Sequence, residues 1–206
     1  MLRITLKIAR GLDTCQVGYS KLARHLGGVR KYGRDKPVPL TVVLDVLGLN
    51  IALWCLGHTL EDSARLDRLF AADCAEHMLK HFAEDYPTTV GRLQGLIEGA
   101  RRFAKGEISE TELEAIRSEV HESVTGPLGS PDSLEVAIDS SMCCAGAAPC
   151  APWVAGQALL AIDFKIDQDG WSRKSYEERR DDRTAMRKAE ERWQEARLRE
   201  YLEGGE

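Results

Sequence analysis

RRFAKGEISETEL, residues 101–113, predicts the end of one helix, a stop and the start of the next. Gly106 stands where a helix can end in the left-handed conformation, which glycine adopts without a Cβ penalty. Ser109 and Glu112 have the spacing of a capping box, in which each side chain bonds the other residue's backbone N–H. This segment therefore favours two helices packed against each other.

Apolar residues flank the segment at helical spacing. The two stripes are Leu93, Ile97, Ala100 and Ala104 before the stop, and Leu113, Ile116, Val120 and Val124 after it. Spacings of this kind recur along the chain, and strand alternation does not. We therefore expect an all-α single domain over residues 1–206. It should contain about eight to ten packed helices in antiparallel pairs, with a long charged C-terminal helix.

Local signals place the other helices and the breaks between them. Thr5, Asp13 and Thr59 are the expected N-caps of three helices. The expected helices outside 93–124 cover residues 6–10, 13–26, 40–47, 50–56, 61–86, 153–164 and 174–202. Prolines and glycines predict a loop at 33–39, a break at 126–131 and a turn at 167–170.

Composition limits the classes of function. The 206 residues are 43% hydrophobic and 30% charged, with a formal net charge of −5. This balance is typical of a globular protein, argues against a general nucleic-acid binder and fits an acidic surface facing a basic partner. No stretch reaches the ~18 apolar residues of a membrane helix, and residues 1–8 lack the features of a signal peptide. We expect a cytoplasmic protein with reduced cysteines and no membrane association.

Two clusters have the residue types of a metal site. Asp73, His77 and His81 step by four and share one helical face, but a single helix supplies too few ligands to close a site. The alternative is a polar flank with an Asp73–His77 hydrogen bond. Cys143 and Cys144, with Cys150, lack the Cys-x-x-Cys spacing of zinc sites. Nucleophile-elbow and phosphate-loop motifs are absent as well, so we expect no catalytic residues, cofactor or metal.

The four tryptophans divide into two kinds. Trp54, Trp153 and Trp193 occupy apolar positions of predicted helices, and we expect them in the core. Trp171 follows the predicted turn, and we expect it to be exposed. An exposed tryptophan is a candidate anchor for a protein partner.

Four segments together resemble a family of immunity proteins from bacterial polymorphic toxin systems, also found on prophages. They are GLNIALWCL (48–56), RLFAADCAE (68–76), ARRFA through GEI to EL (100–113) and WQEARLREYL (193–202). The resemblance covers residues 30–120 and 185–202, in family order. The chain departs from the family at Asn50 and Ile51, where acidic residues are usual, and at Gly57, where arginine is usual.

The resemblance implies an all-helical fold, no enzymatic activity and a cytoplasmic toxin-binding role. Segment 125–182 diverges from the family's alanine-rich helical stretch, and an immunity protein would vary such a region to suit its own toxin. The leading hypothesis is thus a protein that neutralises a cognate toxin. Its expected contacts are Trp171 and segment 125–182, with the family-matched polar residues Asp73, Glu76, Arg101 and Arg102.

Other hypotheses stay open. The four family-matched polar residues could instead form an internal ion-pair network between two helices. The protein could be a prophage-encoded inhibitor or adaptor of a host defence or regulatory complex. It could also be an enzyme or metal protein using Asp73, His77 and His81. The oligomeric state is open, since the C-terminal helix could pack on its own chain or on a second copy.

Overall fold

The computed structural model describes residues 1–12, 16–124, 132–146, 151–170 and 175–204. Within these ranges lie eleven helices and two short strands, so the predicted all-α fold class is confirmed. The elements are β1 (Arg3–Thr5), α1 (Leu6–Gly11), α2 (Gln16–His25), α3 (Val29–Tyr32), β2 (Pro37–Pro39), α4 (Leu40–Leu47), α5 (Leu49–Leu56), α6 (Ala64–Leu79), α7 (Pro87–Ala104), α8 (Glu110–Val124), α9 (Asp132–Cys144), α10 (Ala151–Gly170) and α11 (Tyr176–Glu203).

The segment around Gly106 has the structure that its sequence predicts. Gly106 adopts φ +75° between α7 and α8. Ser109 Oγ accepts the Glu112 N–H at 3.2 Å, and the Glu112 carboxylate accepts the Ser109 N–H at 2.7 Å. The two helices pack closely at Gly99, where a Cβ would lie 3.2 Å from Ile116 Cδ1. The capping box fixes where α8 begins, and the small Gly99 allows α7 and α8 to pack closely.

The chain forms two compact units. Unit 1 comprises Met1–Ala64 with Glu195–Glu206, and unit 2 comprises Arg65–Gln194. Leu44, Leu56 and Leu198 are buried in unit 1, while Phe70, Met78 and Leu93 are buried in unit 2. Compactness alone does not say whether the units fold separately, so the single domain over 1–206 stays a prediction.

The predicted loop at 33–39 is wrong at its last three residues. β2 pairs with β1 in antiparallel register, with Val38 opposite Ile4. Both of these side chains are fully buried. Pro37 and Pro39 flank Val38, and prolines are tolerated in an edge strand because the missing N–H groups need no partner there. Val38 is therefore the one residue of β2 that has a backbone N–H to donate.

The predicted helix at 61–86 is wrong at both ends. α6 begins at Ala64, whose N–H donates to Asp62 Oδ1 at 2.9 Å, and Thr59 is not its N-cap. The Thr59 hydroxyl lies 2.8 Å from the Glu61 carbonyl oxygen instead. At the other end, Phe82 N–H bonds the Leu79 carbonyl, a three-residue step that closes α6 before the chain turns into α7.

The predicted turn at 167–170 is helical in the structure, because α10 continues to Gly170. Asp167 is held within α10 by an ion pair with Arg183 of α11, whose Nη1 lies 3.1 Å from Asp167 Oδ2. The turn prediction relied on local residue type alone and took no account of this contact between two helices.

The expected burial of the tryptophans is wrong for two of them. Trp54 is 50% exposed and Trp153 is 38% exposed, while Trp193 is half-buried. The helices that hold Trp54 and Trp153 are apolar on more than one side, and smaller residues of each helix fill the core. Trp171 lies outside the described residues, as do Asp13 and Cys150.

Candidate functional site

Three of the predicted site residues lie together between α6 and α7. Arg101 Nη2 is 2.7 Å from Asp73 Oδ1 and 2.7 Å from Glu76 Oε2. Burial lowers the pKa of Arg101, but the hydrogen bonds that Arg101 donates to Glu76 and Asp73 outweigh it and raise the pKa above its ordinary value. The side chain of Arg101 is 17% exposed and that of Asp73 is 9% exposed. This geometry matches the internal ion-pair network that the sequence left as an alternative.

Arg102, the fourth of the family-matched polar residues, lies apart from this cluster. Arg102 is exposed, and its Nε is 3.8 Å from the carboxylate of Glu107, which lies between α7 and α8. Trp171 falls outside the described residues, so its predicted exposure is not tested. The structure thus joins three members of the predicted set and separates Arg102 from them.

His77 belongs to a largely buried network of hydrogen-bonded side chains that connects α6 with α11. Its Nδ1 lies 2.7 Å from Glu190 Oε2, and its ring stacks on Trp193 with centroids 3.8 Å apart. Gln194 Nε2 donates to Glu190 Oε1 at 3.0 Å and to the Ala155 carbonyl at 3.1 Å. Glu190 and Gln194 are buried. The sequence contains a weak signal for these hydrogen-bonded residues, because Glu190 and Gln194 lie four residues apart on the apolar side of α11.

The metal hypotheses gain nothing from the geometry. His77 Nδ1 is already engaged by Glu190, although burial lowers the pKa of His81 and so favours the neutral imidazole that a metal would need. Burial also raises the pKa of Cys144 to about 12, which keeps its thiol protonated. Among the side chains that the structure describes, no group of three or more His, Cys, Asp or Glu residues is placed to hold a metal ion.

Two adjacent charged residues of α6, missed by the sequence analysis, hold the ends of α9 and α10. Asp67 Oδ1 accepts the N–H of Ala151 at 2.8 Å, at the start of α10. Arg68 Nη1 donates to the carbonyls of Cys144 at 2.9 Å and Gly146 at 2.8 Å, at the end of α9. Each charge thus meets the helix end of opposite dipole sign. We call Asp67 and Arg68 the α6 clamp.

Both charges of the α6 clamp are removed from water, and their pKa values shift accordingly. Burial raises the pKa of Asp67, although the Ala151 N–H and Arg68 act in the opposite direction. Burial lowers the pKa of Arg68, because in both residues burial disfavours the charged form. The partners lie 76 to 84 residues away in sequence. No local pattern could have indicated them.

A cleft of about 570 Å³ opens beside Arg68, between α8 and the end of α9. The Arg68 guanidinium lies over the Phe103 ring, 4.8 Å from its centroid, and both residues line the cleft together with Leu113. Carboxylates of Glu110 and Glu114 line the α8 side. The remaining lining residues are Thr111, Ala115, Ser118, Ala145 and Gly146. We call this feature the α8 cleft.

The α8 helix gives the cleft an acidic setting. Its exposed acidic residues are Glu110, Glu112, Glu114, Glu119 and Glu122, against the single arginine Arg117. Residues 110, 114, 118 and 122 step by four, so they form one row along the helix. A second depression of about 300 Å³ continues along this row as far as Glu122. Carboxylates beside an aromatic ring suit the cationic side chain of a protein partner.

Comparisons with known proteins provide no assignment. No protein-family model matches the chain, and no match was found among curated proteins or solved structures. The resemblance to immunity proteins therefore stays a prediction. None of the described helices is both long enough and apolar enough to cross a membrane.

Proposed function

We propose that this chain is a non-enzymatic cytoplasmic protein that neutralises a cognate toxin, and that the α8 cleft receives a basic side chain of that toxin. The observation that carries the proposal is the cleft itself, in which Glu110 and Glu114 stand beside Phe103 on a strongly acidic helix. The net charge of −5 supports a basic partner. The resemblance to immunity proteins supports a toxin as that partner.

Electrostatics and burial would act at different stages of binding. The exposed carboxylates of α8 would attract a basic surface over long range and raise the association rate. A lysine or arginine entering the cleft would then pair with Glu110 and Glu114 and pack beside Phe103, whose ring already holds the Arg68 guanidinium. One wall of the cleft lies in the family-like part of the chain, and the other, at Gly146, lies in divergent segment 125–182. Variation of the second wall would tune the choice of toxin.

The first test identifies the partner by affinity capture of the tagged full chain from host lysate, read by mass spectrometry. Recovery of one polymorphic-toxin fragment, and protection of cells that express that fragment by the chain, is the expected result. Recovery of a host defence or regulatory assembly would overturn the toxin assignment and favour the inhibitor or adaptor hypothesis.

The second test concerns the cleft. With the captured partner in hand, the double variant Glu110→Gln/Glu114→Gln should weaken binding about tenfold or more, mostly through slower association, and should reduce the salt dependence of affinity. The matched control is Glu84→Gln/Glu191→Gln, which removes the same charge from exposed positions outside the cleft. Equal loss in both double variants would mean that net charge, rather than the α8 cleft, determines binding.

A further inference from the structure

Positive charge is concentrated at the start of the chain. Residues 1–39 contain nine lysines and arginines but only two aspartates and no glutamate, a formal charge of +7. The whole chain carries −5, so the rest of it carries −12. The net charge, which argues against a general nucleic-acid binder, is thus an average over two unequal parts. Charges in ~0.1 M salt act over about 10 Å, so a ligand responds to the charges near it rather than to the average.

The fold brings six of these cations to one end of the β1–β2 ribbon. Thr5 lies opposite Pro37, so α1 leaves the ribbon at the end where the loop 33–36 enters it. The Lys7 N–H donates to the Arg34 carbonyl oxygen at 3.0 Å, which holds the start of α1 against that loop. The six cations come from α1, α3 and the loop, and they are Lys7, Arg10, Arg30, Lys31, Arg34 and Lys36. We call them the N-terminal basic patch.

The charges of the N-terminal basic patch are not neutralised within the described chain. All six residues are exposed. Among the residues that the structure describes, none of the six pairs with a carboxylate, whereas the neighbouring Arg3 pairs with Glu61. Lys36 Nζ lies over the Tyr32 ring, 4.7 Å from its centroid, a contact that leaves its charge in place. In contrast, six of the seven arginines of α11 have a carboxylate partner. The patch is therefore a local excess of positive charge.

The residue types of the patch favour one class of partner. Within the described part of residues 6–36, no large apolar side chain is exposed. A protein interface takes most of its affinity from buried aromatic or aliphatic anchors, and a membrane-binding surface inserts apolar side chains. A phosphate backbone needs neither, because its affinity for cations comes largely from the release of condensed counterions. The patch thus fits a nucleic acid better than a protein or a lipid surface.

We propose that the N-terminal basic patch binds the phosphate backbone of a nucleic acid without reading its sequence. Direct readout of bases places a helix or a β-ribbon in a groove. Helices α1 and α3 have only six and four residues, and β1 and β2 have three each, so no element of the patch is long enough for this role. Contacts to phosphate position a protein on nucleic acid but carry no sequence information.

The test is fluorescence anisotropy of the full chain with two labelled probes of arbitrary sequence, a DNA duplex of about 20 base pairs and a single-stranded RNA of about 20 nucleotides. Wild type should bind the duplex with a dissociation constant of about 1–100 μM in ~0.1 M salt. The logarithm of the binding constant should fall against the logarithm of salt concentration with a slope of about −3 to −5, as expected for roughly four to six phosphate contacts. Tighter binding of the RNA would identify RNA as the source of the phosphates.

Three lysines of the patch test whether it is the binding surface. Lys7→Gln/Lys31→Gln/Lys36→Gln should weaken binding about tenfold or more in ~0.1 M salt and make the salt slope shallower by about 2–3. Arginine at the same three positions should keep wild-type binding, because the charge is retained. Exposed substitutions of this kind leave the fold intact, which circular dichroism checks.

The matched control is Lys80→Gln/Lys105→Gln/Lys188→Gln, which removes the same charge from exposed lysines of unit 2. This variant should change affinity less than about twofold, because these lysines lie outside the patch. Equal loss in the two glutamine variants, or no binding of either probe in ~0.05 M salt, would overturn the proposal.

Vesicles of phosphatidylcholine and phosphatidylserine complete the test. Wild type should not sediment with them at salt concentrations where it binds the probes. Binding to the vesicles without binding to either probe would overturn the proposal and assign the patch to an anionic membrane surface. The proposal does not depend on the proposed function, because the patch lies in unit 1 and the α8 cleft is lined by residues of unit 2.

Discussion

At the scale of single residues, Arg101 is the cation shared by two carboxylates of α6. It bonds both Asp73 and Glu76 at 2.7 Å while largely buried. We predict that Arg101→Ala lowers the free energy of unfolding by about 2–3 kcal/mol, because Asp73 loses this partner in a site with little water. Urea denaturation measures the change.

Arg102 provides the adjacent control for that prediction. Its side chain is 47% exposed and lies 3.8 Å from the Glu107 carboxylate. Arg102→Ala should change stability by less than about 0.5 kcal/mol. If Arg101→Ala instead kept full stability and weakened partner binding, Arg101 would be a contact residue rather than part of an internal network.

Asp67 should give the protein a measurable pH dependence. Its pKa is raised by burial, so its contribution to stability is complete below the ordinary carboxyl pKa and is lost as pH rises through the raised folded value. Asn at this position keeps an acceptor for the Ala151 N–H but does not ionise. We predict that Asp67→Asn gains stability relative to wild type between about pH 4 and pH 7.

Urea midpoints at several pH values measure this difference. Asp139→Asn, at an exposed position of α9, is the control and should show a nearly constant offset from wild type. A difference that moved in the opposite direction with pH would mean that the helix dipole and Arg68 outweigh burial at Asp67.

At the scale of elements, the capping box of α8 is a local stabilising unit. Ser109→Ala removes the acceptor of the Glu112 N–H and should lower the free energy of unfolding by about 1 kcal/mol. Thr111→Ala, at an exposed position of the first turn, should have a much smaller effect. Thermal unfolding followed by circular dichroism compares the two; equal shifts would contradict the role of the cap.

Elements whose boundaries depend on neighbouring residues could be predicted from the sequence. Gly48 separates α4 from α5, and Gly106 with Ser109 separates α7 from α8, because backbone conformation and capping act within one turn. The boundaries of α6 and α10 could not be predicted in this way. Near the end of α10, Asp167 pairs with Arg183 of α11, a contact between two helices that local residue type does not reveal.

The candidate site shows the same division. The family resemblance pointed to Asp73, Glu76, Arg101 and Arg102 as polar positions, and the structure joins the first three of them. The α6 clamp and the α8 cleft were missed. The α6 clamp depends on backbone carbonyl and N–H groups at distant helix ends. Residue type does not reveal such partners, because almost every residue carries these backbone groups.

At the scale of the whole molecule, buried cysteines can test whether the two units unfold together. Burial raises the pKa of Cys55, in unit 1, to about 11 and that of Cys144, in unit 2, to about 12. Alkylation of these thiols therefore requires opening of the structure. If residues 1–206 form one cooperative domain, both cysteines should become reactive at the same urea concentration.

Peptide-resolved mass spectrometry after a brief alkylation pulse measures this reactivity at each urea concentration. Cys143 is partly exposed and should react at lower urea than the two buried thiols, which makes it the internal control. Separate midpoints for Cys55 and Cys144 would show that the two units open independently and would contradict the single-domain prediction.

The division of the chain into units has a consequence for its synthesis. Unit 2 is one continuous stretch, Arg65–Gln194, whereas unit 1 joins Met1–Ala64 to Glu195–Glu206. Leu198 is buried, and Arg199 Nη2 lies 2.8 Å from Asp45 Oδ1, so the late residues are part of unit 1. A ribosome releases residues in order. If the two units fold separately, unit 2 can therefore assemble before unit 1, because unit 1 is complete only when the last turns of α11 have emerged.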